Sequence, residues 1–159
     1  MENRLLKSLK LPAAILLMGF ALSAQAADPL VGTWKLNVAK STYSPGPAPK
    51  SLTAKIEAAG DGEKLTADGV RGDDTPIHVE YTAQYDGKDY QLTGSPMADT
   101  VSLKRLDANT IERTDKKGGK VVLTHTRKLL SDGKTGTVTV KGTDAEGRPI
   151  NNVTVWEKQ

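Results

Sequence analysis

Apolar and polar residues alternate in short runs along most of this chain, and clusters of glycine and aspartate separate the runs. Within 77–85, for example, the odd-numbered residues are Ile, Val, Tyr, Ala and Tyr, whereas the even-numbered residues are His, Glu, Thr and Gln. A period of two is typical of β-strands that bury one face. Helix signals are almost absent after Ala27, so the pattern predicts an all-β protein.

Ten strands follow from this pattern, and glycine-containing turns such as Asp86-Gly87-Lys88 link them. The predicted strands are Val31–Asn37, Ser51–Ala58, Lys64–Val70, Ile77–Tyr85, Tyr90–Thr93, Thr100–Leu106, Thr110–Asp115, Lys120–Leu129, Gly136–Lys141 and Asn151–Glu157. Strands in series with short links favour an antiparallel up-and-down meander of about eight to ten strands, closed or nearly closed into a barrel. A small β-sandwich is the alternative that would also hide the sheet edges.

Turn geometry predicts the register of two hairpins, and a slip of one residue would turn every side chain to the other face. A three-residue loop at 107–109, left-handed at Asn109, would place Leu103 opposite Arg113 and Arg105 opposite Ile111.

A second three-residue loop, Lys116-Lys117-Gly118, would place Ile111 opposite Leu123 and Arg113 opposite Val121. His125 and Arg127 would then continue the inner face of that strand.

The longest irregular stretch is Val38–Lys50, which contains Pro45, Pro47 and Pro49. Repeated proline disfavours a central strand and favours a stiff, extended backbone. We expect this stretch to be either a flap over one end of the barrel or a long crossing.

The first 26 residues have the pattern of a secretory signal peptide. Arg4, Lys7 and Lys10 precede an apolar run, Leu11–Ala24, and Ala24-Gln25-Ala26 is a small-x-small cleavage site. We therefore expect a cleaved signal peptide over 1–26, a single β-barrel domain over 27–159 and a periplasmic or secreted protein that is not inserted in a membrane.

Composition narrows the classes of function. The chain has no cysteine, which excludes a disulfide, a thiolate metal site and a lipid-modified cysteine. Removal of the signal peptide takes away three basic residues and one acidic residue, so the net charge falls from +3 to +1. A charge this small argues against a nucleic-acid partner.

Both ends of the predicted meander resemble one superfamily. Gly32-Thr33-Trp34-Lys35-Leu36 resembles the G-x-W start of the lipocalins and fatty-acid-binding proteins, and Val155-Trp156-Glu157-Lys158 resembles the V-Y-E-K ending of the intracellular fatty-acid-binding proteins. The resemblance implies an up-and-down barrel that holds a small apolar ligand. Gly32 and Trp34 are expected to be structural. Trp34 would close the bottom of the core, because a buried aromatic ring supplies a large apolar area, and stacking on a ligand is the alternative. Trp156 alternates with two valines and is expected to face outward.

Three features depart from that superfamily. The Pro-rich stretch 44–50 stands where fatty-acid-binding proteins have a helical lid. Their carboxylate clamp of Arg and Tyr on the last strand is matched here by Thr154 and Trp156, so the clamp is not carried over. The arginine that lipocalins pack on the G-x-W tryptophan has no counterpart after Arg148.

A second stretch, Gly142–Val155, is similar to the D-x-x-G-x-P-I hairpin of transthyretin-like sandwiches.

Several chemically active side chains are predicted on the inner face. Buried cations need partners, and arginine presents a planar fork that suits carboxylate or phosphate, so an anionic ligand group is a natural partner. The alternative is that each arginine covers apolar surface with its stem and reaches solvent. The candidate ligand-binding residues are Tyr81, Tyr85, Arg105, Arg113, His125 and Arg127.

No catalytic or metal constellation is visible. His78 and His125 fall on opposite faces of different strands and make a poor metal site. The chain has neither a nucleophile elbow nor a phosphate-binding glycine loop. We therefore predict no enzymatic activity, no cofactor and no metal.

The expected function is reversible binding of a small apolar or amphiphilic molecule after export. The inner arginines suggest that this molecule carries an anionic group. Val79, Leu103, Ile111 and Leu123 would hold its apolar part, and Arg113 or Arg105 an acidic head. The alternative is a non-catalytic envelope interaction or structural module with a filled core. The sequence identifies no protein partner.

Overall fold

The computed structural model describes residues 28–159, which form ten β-strands. The strands are β1 (Gly32–Thr42), β2 (Ser51–Ala59), β3 (Gly62–Val70), β4 (Pro76–Gln84), β5 (Tyr90–Thr93), β6 (Thr100–Asp107), β7 (Thr110–Lys117), β8 (Lys120–Leu129), β9 (Thr135–Thr143) and β10 (Pro149–Lys158). All ten predicted strands are confirmed. The predicted signal peptide, Met1–Ala26, lies outside the described residues. Within 28–159, no helix is long and apolar enough to cross a bilayer.

The sheet is a closed up-and-down barrel, as predicted, and not a sandwich. Each strand pairs antiparallel with the next along the chain, and β10 pairs with β1 to close the ring. At that seam, Trp34 lies opposite Lys158 and Leu36 opposite Trp156. The G-x-W start and the V-W-E-K end, which carried the sequence resemblance, are therefore neighbours that close the barrel.

Alternation divides each strand into an inner and an outer face. On β4 the predicted inner stripe is confirmed, since Tyr81 and Ala83 are buried while Thr82 is exposed. The buried core also includes Leu30, Trp34, Ala54, Ile56, Leu65, Ala67, Leu92, Val101, Leu103, Ile111 and Leu129. The lower end of the barrel is the end at which β1 begins, and the upper end is the end at which β1 finishes.

Trp34 and Gly32 organise the lower end. Trp34 is buried, and its Nε1 donates a hydrogen bond to the carbonyl oxygen of Leu30 at 2.9 Å. Nζ of Lys158 lies 5.4 Å from the Trp34 ring and donates to the carbonyl oxygen of Pro29 at 2.8 Å. Gly32 has a φ of +139°, and a Cβ there would lie 2.7 Å from Cε of Lys158. Lys158 thus places a cation over the tryptophan ring, where lipocalins use an arginine that this sequence lacks.

β1 is longer than predicted. It continues beyond Asn37 to Thr42, and its pairing with β10 shifts register between these two residues. The segment 43–50 that follows is the irregular Pro-rich connector. Ser44 exchanges hydrogen bonds with β10, and the amide of Lys50 donates to the carbonyl oxygen of Val70 on β3. The connector therefore runs along the upper rim from one strand to the other.

The first predicted hairpin register is confirmed, although its turn differs. Leu103 lies opposite Arg113, and Arg105 lies opposite Ile111. A bulge between Arg105 and Asp107 supplies the odd residue that keeps both strands in phase. Asn109 is not left-handed, contrary to the prediction.

The second predicted register is wrong. Arg113 lies opposite His125 and Ile111 opposite Arg127, four residues from the predicted partners. The turn consists of Gly118 and Gly119, both with positive φ, which favours a tight two-residue connection. A bulge after Asp115 then shifts the pairing. Because the error is an even number of residues, the inner face was predicted correctly.

Gly94 and Gly119 provide a matched test of this packing, since both have a φ of +79°. A Cβ at Gly94 would lie 1.8 Å from the carbonyl oxygen of His78, whereas nothing lies within 4 Å of one at Gly119. We expect Gly119→Ala to lower the free energy of unfolding by about 1 kcal/mol and Gly94→Ala by at least about 3 kcal/mol. Urea unfolding followed by tryptophan fluorescence measures both; equal losses would contradict the tight strand contact at Gly94.

Candidate functional site

The barrel encloses a cavity of about 380 Å³. Its walls are mainly aliphatic and include three of the four apolar residues predicted to hold a ligand, Val79, Ile111 and Leu123. Leu103, the fourth, is fully buried and does not line the cavity. At the upper rim, Tyr43 and Pro49 of the Pro-rich connector also line it. The connector therefore forms part of the cavity wall as well as a crossing.

Arg113 and Asp115 form a buried ion pair on β7. They are two residues apart and therefore share the inner face. Nε and Nη2 of Arg113 donate to the two carboxylate oxygens of Asp115 at 2.6 and 2.7 Å. Burial alone would raise the pKa of Asp115, but the proximity of His125 and Arg113 lowers the pKa to about 2. Asp115 is therefore ionised at neutral pH.

His125 lies beside this pair on β8. Its Nε2 is 3.3 Å from Oδ2 of Asp115, but the two atoms are not aligned for a hydrogen bond. Burial and the charge of Arg113 lower the pKa of His125 below its ordinary value, despite the nearby carboxylate. The imidazole is therefore neutral at neutral pH.

Glu63 is the centre of a second buried cluster. Its carboxylate pairs with Nη2 of Arg127 and accepts hydrogen bonds from the hydroxyls of Tyr81 at 2.7 Å and Tyr85 at 2.8 Å. Burial alone would raise the pKa of Glu63, but Arg127 and the two hydroxyls lower it below its ordinary value. Burial and the Glu63 charge raise the pKa of both tyrosines. This cluster ties β3, β4 and β8 together inside the barrel.

Aromatic rings connect the two clusters. The guanidinium of Arg113 lies 4.8 Å from the centre of the Tyr81 ring, and that of Arg105 lies 4.4 Å from the Tyr85 ring. Such cation–π contacts are attractive when the groups are shielded from water. Arg105 also pairs with Asp28 at the lower end. A polar network thus runs from the lower end along one side of the cavity.

The structure brings four of the six predicted ligand-binding residues to the cavity. Tyr81, Arg113, His125 and Arg127 line it. Tyr85 and Arg105 do not; they belong to the network nearer the lower end. The interpretation in which each arginine simply reaches solvent does not describe Arg113 or Arg127, since both side chains are about 16% exposed and bind carboxylates inside the barrel.

Three buried polar atoms, each on a residue that lines the cavity, have no hydrogen-bond partner among the described residues. They are Oη of Tyr43, Nε2 of His125 and Nε of Arg127. A buried donor or acceptor without a partner costs about 1–3 kcal/mol. A hydrogen-bonding group that reached one of these atoms from the cavity would therefore recover part of this cost.

Among residues 28–159, no group of three His, Asp or Glu side chains is placed to hold a metal ion. The chemistry that the cavity offers is hydrogen bonding from neutral and paired charged groups on an apolar wall.

The fold has a counterpart among solved structures. The described barrel is similar to zebrafish ileal bile acid-binding protein complexed with cholic acid, with a TM-score of 0.50 and 12% sequence identity. The similarity covers 82% of this chain and 99% of that chain. The chain has the fold of the lipocalins and fatty-acid-binding proteins. No protein-family model and no curated protein sequence matches it. The likeness therefore concerns the fold.

The last strand of this lipocalin-like barrel corrects the prediction for Trp156. Trp156 lines the cavity, and its Nε1 donates to Oγ1 of Thr154 at 2.9 Å. The inner face of β10 comprises Ile150, Asn152, Thr154 and Trp156, whereas Val153 is 42% exposed on the outer face. Because polar residues alternate inward and valines outward on this strand, hydrophobicity alone indicated the wrong face.

Sequence reasoning also missed both carboxylates. Asp115 lay in a predicted strand, two residues after Arg113, and this spacing was the available signal. Glu63 lay just before the predicted start of its strand and was not assigned to an inner face. Its partner Arg127 is 64 residues away along the chain, so no local pattern connects them.

The ion pair of Asp115 predicts a specific pH dependence of stability. The pKa of Asp115 is about 2 in the folded protein, against an ordinary value of 3.8. The ionised carboxylate therefore stabilises the fold above pH 4, and this stabilisation is lost as the pH falls from 4 to 2. We expect Asp115→Asn to lower the free energy of unfolding at pH 7 by about 3 kcal/mol, because Arg113 loses its counter-ion. The difference from the wild type should narrow by about 2 kcal/mol between pH 4 and pH 2.

Urea unfolding at each pH measures this difference. Glu57→Gln is the control, since Glu57 is exposed on the outer face and pairs with Lys55; it should keep the wild-type profile. A difference for Asp115→Asn that stays constant down to pH 2 would contradict the role of the ion pair.

Proposed function

We propose that this protein binds a small apolar or amphiphilic molecule inside the barrel. The observation that carries the proposal is the cavity of about 380 Å³ with aliphatic walls and a few polar atoms. Small-molecule sites are typically concave, mostly apolar and roughly 300–1,000 Å³ in volume, with a few polar groups that orient the ligand. The cavity meets each of these criteria, at the lower end of the size range. The cavity supports this function over the structural-module alternative, which supposes a filled core.

Burial of the apolar part of the ligand would drive binding. Val79, Ile111 and Leu123 come from three different strands and face the same space. Each CH₂ group that leaves water for such a wall contributes about 0.8 kcal/mol. Part of this gain is offset by the lost freedom of the ligand, so a chain of several carbons is needed for useful affinity.

The fold supports a ligand of this kind, since the similar zebrafish barrel is complexed with cholic acid. In the present chain, Thr154 and Trp156 occupy the strand positions at which the resemblance places an Arg and Tyr clamp. Any polar contact would instead involve Arg113, His125 and Arg127 on β7 and β8. The proposal therefore retains the apolar cavity and assigns the polar contacts to different strands.

We further propose that binding takes place in the periplasm or outside the cell. The basic start, apolar run and small-x-small site of Met1–Ala26 support export. Detection of the chain in an envelope or culture fraction, beginning at Ala27, would test this part independently of ligand binding.

Two neighbouring valines provide a matched test of the cavity. Val138 lines the cavity on β9, and Val153 points outward on the adjacent β10. We expect Val138→Phe to weaken binding of N-phenyl-1-naphthylamine, an uncharged fluorescent probe, by at least about tenfold, the equivalent of about 1.4 kcal/mol. Val153→Phe should leave the dissociation constant unchanged. Fluorescence titration of the two folded variants measures both constants.

Native mass spectrometry before and after solvent extraction is the complementary measurement. A discrete, extractable mass on the wild type that Val138→Phe lacks would identify the cargo. Failure of the wild type to bind the probe, or equal binding by both variants, would overturn the proposal.

A further inference from the structure

The charges that face the cavity are already balanced within the protein. Arg113 is held by both oxygens of Asp115, and Arg127 pairs with Glu63. Arg105, the remaining predicted cation, pairs with Asp28 away from the cavity. Lys128 also borders the cavity but is an exposed residue on the outer face of β8. Within residues 28–159, every inward arginine of the candidate site therefore has its own carboxylate.

An ionised ligand head would meet an unfavourable site here. A carboxylate entering the cavity would lose its hydration and become a third anion beside two cations that are already paired. Burying a charge is costly when every nearby opposite charge is already paired. The guanidinium fork of Arg113 is also occupied, since Asp115 takes two of its donors.

The atoms that remain free suit an uncharged head. Nε of Arg127 is a donor without a partner, and Nε2 of His125 makes no aligned hydrogen bond, although Oδ2 of Asp115 lies 3.3 Å away. Both atoms are buried, so a ligand head would have to displace neighbouring side chains to reach them. The two residues are two apart on the inner face of β8, roughly 7 Å along the strand. A neutral imidazole nitrogen either donates or accepts, according to its tautomer. A hydroxyl could accept from Arg127 and donate to His125, and a carbonyl oxygen could accept from both.

From this geometry we infer that the ligand's polar head is uncharged, a hydroxyl, ether or carbonyl group bound by Arg127 Nε and His125 Nε2, and not a carboxylate. The inference rests on the proposed ligand-binding function and specifies its ligand class. It replaces the anionic head expected from the sequence, because the sequence showed the arginines without their internal counter-ions.

The test compares two ligands with the same chain length and different heads. Decan-1-ol and decanoate, which is ionised at pH 7.5, are each used to displace N-phenyl-1-naphthylamine from the protein. For the wild type we expect decanol to bind at least about tenfold more tightly. Because decanol is also the less hydrated molecule, the decisive quantity is how the ratio of the two dissociation constants changes in variants.

Glu63→Gln and Asp115→Asn each free one arginine from its counter-ion. We expect either variant to reduce the preference for decanol by at least about tenfold, since the freed cation can pair with decanoate. Glu80→Gln is the matched control, because Glu80 lies on the outer face of β4 beside Lys64; it should keep the wild-type ratio. His125→Phe leaves both ion pairs in place and should weaken decanol by about fivefold to tenfold, while the probe still binds.

Each outcome separates this inference from the proposed function. If decanoate binds the wild type more tightly than decanol, or if the ratio is unchanged in the folded carboxylate variants, the uncharged head is wrong and the ligand-binding function stands. If neither carboxylate variant folds, undiminished decanol binding by His125→Phe overturns the inference. If neither the probe nor either ligand binds the wild type, the proposed function itself fails.

Discussion

Closure of the ten-stranded ring sets both the size of the cavity and the position of the buried charges. Once β1 pairs with β10, every second residue of every strand must point into the barrel, whatever its chemistry. Ten strands enclose more space than the small aliphatic residues of this chain can fill, and no phenylalanine is present in the described residues to fill it. The cavity is therefore a consequence of strand number and side-chain size together.

Closure also carries Arg113, His125 and Arg127 into a low-dielectric interior. An arginine cannot shed its charge there, so the fold supplies Asp115 and Glu63 as counter-ions and uses tyrosine hydroxyls to saturate the second carboxylate. The same arrangement cancels the charge of the cavity and leaves a small number of uncommitted polar atoms. Fold stability and the proposed ligand preference therefore involve the same side chains, Asp115 and Glu63 with their arginines.

Much of the fold was predictable from local pattern. Alternation identified all ten strands, and glycine turns indicated their antiparallel order. Part of the site was predictable as well, since Arg113, His125 and Arg127 were placed on one inner face. The prediction of the inner face was wrong on the strand where polar side chains point inward and apolar side chains point outward. On β10 the inner positions are Asn152, Thr154 and Trp156 while valines face outward, so the hydrophobic pattern favoured the wrong side.

The strands, their alternation and the inward direction of the arginines follow from local sequence, because these features depend on residues within a few positions of one another. The register of β7 with β8 and the pairing of the buried charges depend instead on the complete fold. The bulge after Asp115 sets the pairing of β7 with β8, and barrel closure brings Glu63 to Arg127 across 64 residues. Such pairings depend on the summed geometry of turns, bulges and the closed ring, and no local stretch of sequence encodes that sum.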